Sequence, residues 1–167
     1  MELSKVERLI LANQFRILEK IDPDEARDSQ MALEILRNGY TLDYESLVSH
    51  FDKEVSEATC REVRDILDLY RALKKALREL PEGTLTEKEA TFKGFDGNEE
   101  TEHYSYVLFL IEVQRKWGES ATAELNSHCP MLERYRPMLE QWKRCPKKWD
   151  LTAEDIGRIL ETERRRR

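Results

Sequence analysis

Six residues lying between two long helical patterns, Thr91-Phe92-Lys93-Gly94-Phe95-Asp96, gather the side chains best suited to binding chemistry. Two aromatic rings flank a glycine, which permits a positive φ or a close backbone approach, and a carboxylate follows. Rings so placed either wall a small-molecule or partner groove or clamp the connection into the core. On the first reading Phe92, Gly94, Phe95 and Asp96 are the binding residues, Asp96 is the polar handle, and Tyr70 and Tyr104 lie nearby. Gly94 and Gly97 do not form a phosphate loop, because no Walker lysine pattern and no preceding strand accompany them.

Other chemistry is thinner. His50, His103 and His128 are scattered, and His128-Cys129 with Cys145 lacks the spacing of a zinc site, so neither a metal nor a cofactor is expected. Cys129, beside Pro130, would sit at a helix N-terminus, where the dipole lowers a thiol pKa, with His103 or His128 as base. No nucleophile elbow or cysteine-protease signature supports that enzyme. Glu99, Glu100 and Glu102 crowd the start of a helix, where the dipole favours acids, and read as a solvated first turn. Residues 44–67 have the rhythm of a helix-turn-helix, in which Arg61 and Arg64 would contact DNA. Glu57, Glu62 and Asp65 interrupt that positive field, and the turn lacks the usual glycine. Arg134, Arg136, Lys143, Arg144, Lys147 and Lys148 form a basic cluster, but Tyr135 and Trp142 share a helical face with Met131 and Met138, which says core.

The elements that must position these residues are all helical. A capping box, Ser4 with Glu7, opens a first helix whose arc of Val6, Leu9, Ile10, Phe15, Ile17, Leu18 and Ile21 is wide enough to pack on two sides. Asp22-Pro23-Asp24-Glu25 starts a second helix, ended by Asn38-Gly39. A short helix spans Tyr44 to Phe51. Ser56 caps a long helix with Cys60, Val63, Leu67, Tyr70, Leu73 and Leu77 at near-heptad spacing, a central core helix or a subunit contact. After the Gly/Phe-containing connection, read as the hinge between two halves, Asn98 caps a fifth helix carried past Trp117 to Gly118. A sixth follows from Pro130 through Trp142, interrupted by Pro137, and Thr152 with Asp155 caps the last. The expected fold is all-α, an array of about seven helices in one domain over residues 1–163, with Arg164 to Arg167 as a basic tail.

Composition agrees. Of 167 residues 37% are charged and 40% apolar, enough for one core under a charge-laced surface rich in strong helix formers. A net charge of -6 disfavours nucleic acid as the default partner. No secretory signal and no apolar run of spanning length is visible, and the three cysteines lack disulfide spacing; a cytoplasmic location without membrane contact is expected.

Several separated blocks carry a resemblance. Glu7-Arg8-Leu9-Ile10-Leu11-Ala12-Asn13-Gln14, Asn38-Gly39-Tyr40, Glu57-Ala58-Thr59-Cys60 running into Tyr70-Arg71-Ala72-Leu73, and Phe92-Lys93-Gly94-Phe95-Asp96 are similar, in order, to the YfbU-like family of small bacterial proteins. Pro130-Met131-Leu132-Glu133-Arg134-Tyr135, Trp142, Cys145-Pro146 and Leu151-Thr152-Ala153-Glu154 continue the likeness, and the arginine tail falls outside it. The resemblance implies an all-helical fold and self-association, and it supplies no catalytic residues. The expected role is a non-catalytic module that binds an unknown small molecule or protein and acts as a homo-oligomer. A DNA-contacting regulator and a cysteine-dependent enzyme stand as the alternatives.

Overall fold

The computed structural model describes residues 1–164, and six α-helices carry the described chain. They are α1 (Lys5–Ile21), α2 (Ala26–Asn38), α3 (Glu57–Glu79), α4 (Thr101–Leu108), α5 (Leu132–Lys143) and α6 (Ala153–Arg164), with short 3-10 and π turns between them. Among the described residues the only β pairing is two isolated bridges. The fold is all-helical, as composition and periodicity predict. Of the arginine tail, Arg164 ends α6 and residues 165–167 lie outside the described chain.

Contacts divide the chain into two compact units, Met1–Glu54 and Val55 onward. In the first, Ser4 and Glu7 close the expected capping box on α1, and Gly39 ends α2 in the left-handed conformation at φ 72°. Arg8, near the start of α1, donates from Nε to Leu36 O (2.7 Å) and from its guanidinium to Arg37 O (2.9 Å). It thereby satisfies carbonyls that the end of α2 leaves unpaired and places a cation on its negative pole. At the opposite end Gln30 bonds Glu19, so the two helices run antiparallel. Ala12, Leu33 and Leu36 form the core of this hairpin, with Leu11, Phe15 and Leu47 packed around it. The short helix expected from Tyr44 to Phe51 is instead a 3-10 stretch, Thr41–Val48. Tyr44 is buried there and Leu47 packs on the hairpin, but Phe51 is 70% exposed, so only part of an apolar face is held against a neighbour.

The second unit is built around α3. Val63, Ile66, Leu67, Leu69, Tyr70, Ala72, Leu73 and Ala76 are all buried, an arc too broad for a single seam, which makes α3 the central helix of this core. The Gly/Phe connection after it lies inside this unit, so the division of the chain falls at Glu54 and not in the connection. Its aromatic side chains are the reason: they pack in the core and leave nothing to flex. Beyond it α4 passes into a π turn, Phe109–Val113, and Arg115 and Trp117 adopt positive φ (57° and 58°). These left-handed residues end the helix before Gly118, earlier than periodicity suggests, while Trp117 Nε1 donates to Asp68 Oδ1 at 2.7 Å. The Thr152–Asp155 capping box of α6 forms as read, and Leu151 and Ile156 beside it are buried. No described helix is long and apolar enough to cross a membrane.

Candidate functional site

Phe92 and Phe95 are pinned by a second strap of chain running parallel to them. Phe92 N–H donates to Ser120 O (2.8 Å) and Phe92 O accepts from Thr122 N–H (2.9 Å). Three residues on, Phe95 N–H donates to Leu125 O (3.1 Å) and Phe95 O accepts from Ser127 N–H (3.0 Å). Both rings are fully buried and join Tyr70 and Tyr135 in one cluster with centroids 5.3–5.6 Å apart, mostly edge to face. Gly94, between them, sits at φ 89° against the strap; a Cβ there would lie 1.9 Å from Leu125 O. Its own carbonyl accepts from Tyr135 Oη at 3.0 Å. The structure therefore puts Tyr70, Phe92, Gly94 and Phe95 together, in the core. Tyr104 is half-buried beside Gly97.

Asp96 is buried too. Its Oδ1 accepts from Asn98 N–H (2.7 Å) and Glu99 N–H (3.0 Å), so Asp96, not Asn98, caps the approach to α4. Next to it lies Glu100, which the sequence reading leaves in solvent and the structure buries. One oxygen accepts from Asp96 N–H (2.9 Å), the other from Met131 N–H and Leu132 N–H (2.7 Å each). A single carboxylate thus ties the turn to the first amides of α5, whose N-terminal pole favours a negative group. No local pattern reveals this, because the partners are 31 and 32 residues away.

Outside the turn is a shallow depression of about 360 Å³ lined by Lys93, Asn126, Cys129 and Arg134 among others. Lys93 is the one residue of the turn that reaches it. Cys129 is exposed, and its Sγ has Met131 Sδ at 4.0 Å as its contact; His128 pairs with Glu124 and His103 with Glu62, so neither imidazole bonds the thiol. Of the helix-turn-helix pair, Arg61 is held by Glu57 (2.5 Å) and Arg64 Nε donates to Tyr106 Oη (2.9 Å). Among the described residues no three His, Cys, Asp or Glu side chains converge for a metal.

Glu62 anchors a polar lattice at the edge of the aromatic cluster. It accepts from Arg136 through both oxygens (2.8 and 3.0 Å) and meets His103 Nε2 at 2.9 Å, and the His103 ring packs 5.4 Å from Phe95. The Arg136 guanidinium, aided by His103 and opposed by partial burial, holds the Glu62 carboxyl below the usual range. A carboxyl depressed by folding stabilises at neutral pH and loses that contribution as pH falls from about 4.3 through its lower native value. Urea denaturation from pH 7 to 3 should show the gap between wild type and Glu62→Gln narrowing in that window. A gap constant over that range would mean that the ionisation of Glu62 adds nothing to stability.

The first 162 residues match the model of the YfbU domain. The chain belongs to the YfbU family. In this YfbU chain the turn that carries the resemblance is a core element, so the exposed candidate surface has to be sought elsewhere, and α1 supplies it. Only Ala12 of its seventeen residues is buried. Val6 (66% exposed), Ile10 (52%), Ile17 (58%) and Ile21 (70%) fall within about 60° of one another at 3.6 residues per turn. Ala12 and Phe15, which face α2, lie roughly opposite. Leu9 and Leu18, also exposed, flank the stripe. The broad arc was readable in the sequence as two-sided packing; one side packs on α2 and the other is bare.

Proposed function

We propose that this YfbU-family protein is a non-catalytic interaction module that acts as a homo-oligomer through the outward face of α1. The observation that supports this is the bare stripe of Val6, Ile10, Ile17 and Ile21. Isoleucine and valine on an exposed face add nothing to solubility and lower helix propensity slightly, so a second surface is what makes sense of them. At roughly 60–120 Å² of apolar surface for a fully exposed aliphatic side chain, the stripe with Leu9 and Leu18 offers about 200–400 Å². That is comparable to the ~300–600 Å² of the largest patch on a typical monomer, which is often functional, and supplies up to about half of the ~800 Å² per partner of a standard interface. Native mass spectrometry tests it. Wild type should give a whole multiple of the chain mass, and Ile10→Asp or Ile17→Asp should weaken association about 100-fold or more with an unchanged far-UV spectrum. A single-chain mass for the wild type would refute the proposal.

A further inference from the structure

A hollow of about 570 Å³ lies wholly within the first unit, between α1, α2 and the 3-10 stretch that follows them. Its walls are apolar: Phe15 and Leu18 from α1, Met31, Ala32 and Ile35 from α2, and Leu47. That size and lining suit a small organic molecule. Polar groups gather at the end where α2 begins. Glu25, Asp28 and Ser29 line the hollow there, at helical spacings of three and four that make them neighbours. Ser29 is only 4% exposed. Its N–H donates to Glu25 O (3.0 Å), but its hydroxyl has no partner among the described residues. By contrast Ser46, also in the lining, spends its hydroxyl on Asp43 O. A hydroxyl so buried and facing a hollow calls for a ligand group to complete it.

Charge says which group. Neither Glu25 nor Asp28 is in an ion pair among the described residues, and the Glu25 carboxylate makes no capping bond to α2. No Lys or Arg is among the described lining residues; His50, the one basic side chain there, packs its ring on Phe51 at 4.2 Å. The wider surroundings are acidic as well, since residues 19–28 hold five carboxylates against Lys20 and Arg27. The N-terminal pole of α2 offsets roughly half a charge of this, which leaves the mouth negative. We infer that the hollow binds a small organic cation, its ammonium group held by Glu25, Asp28 and the Ser29 hydroxyl and its aliphatic or aromatic body lying on the apolar walls. The inference is independent of the homo-oligomer reading, which uses the outward face of α1.

Calorimetric titration of the full chain with octylammonium, octanoate and 1-octanol tests it, because the three share a body and differ in charge. Octylammonium should saturate one site below about 10 mM, and octanoate should bind at least about tenfold more weakly. Glu25→Gln with Asp28→Asn changes two exposed side chains and leaves the hollow intact. That pair should weaken octylammonium about tenfold and leave 1-octanol unchanged. Ser29→Ala should weaken octylammonium about threefold. Amide shifts on titration should cluster at residues 15–18, 28–35 and 47. Equal binding of octanoate and octylammonium, or no saturable binding of octylammonium, would overturn the inference, as would shifts confined to the second unit. Shifts at these residues that follow protein concentration and not added octylammonium would mean that a second copy fills the hollow, and would overturn it too.

Discussion

Gly94→Ala should cost the second unit about 4 kcal/mol or more, a large part of the stability of a domain this size. The added Cβ would sit 1.9 Å from Leu125 O and 2.4 Å from Leu125 C, both backbone atoms that cannot rotate away. Relief requires the 120–127 strap to move off, which breaks the bond between Phe95 N–H and Leu125 O and unseats the aromatic cluster beneath. Positive-φ strain alone costs ~1–2 kcal/mol; the clash and lost packing bring the total to about 4 kcal/mol or more, against a typical stability of ~5–15 kcal/mol. Two glycines separate these causes. Gly83, at φ 88° with nothing within 4 Å of a Cβ, should lose only the strain term as Gly83→Ala. Gly157, inside α6 with open space around it, should gain ~0.5–1 kcal/mol as Gly157→Ala. Urea midpoints followed by circular dichroism would rank the three; a Gly94→Ala midpoint equal to that of Gly83→Ala would show that the strap yields freely.

The second large effect belongs to Glu100. Glu100→Ala leaves the N–H groups of Asp96, Met131 and Leu132 without acceptors in a region closed to water. At roughly 1–3 kcal/mol for each buried unsatisfied group, a loss of about 3–5 kcal/mol is expected after relaxation. Glu100→Gln keeps an oxygen for the α5 amides but turns an NH₂ toward Asp96 N–H, so it should cost about 1–3 kcal/mol. Hydrogen exchange at residues 96, 131 and 132 should accelerate in both variants, more in Glu100→Ala. If Glu100→Ala costs less than ~1 kcal/mol, the carboxylate is not what joins the turn to α5.

These two residues show where sequence reading stops. Both were visible as types: a glycine between two phenylalanines, and an acid in the first turn of a helix. Each, however, takes its role from chain far away in sequence. Leu125 defines Gly94, and Met131 with Leu132 defines Glu100, so the neighbours left the rings between a groove and the core and gave no sign of how the carboxylate is used. The same holds for α1: its wide apolar arc announced two packing faces, and only the packed structure shows that α2 takes one of them.

What the sequence by itself determined is the helical character and most helix ends. Ser4 with Glu7, Ser56, Gly39, and Thr152 with Asp155 act on amides or carbonyls within about one turn, so where they stop a helix does not depend on a distant segment. The tertiary structure decided which apolar faces meet, that the Phe92–Asp96 turn is a core fastener, and that Val6, Ile10, Ile17 and Ile21 are left to face solvent. Those outcomes depend on contacts between distant segments, and no local periodicity encodes which of two suitable faces a neighbour will cover.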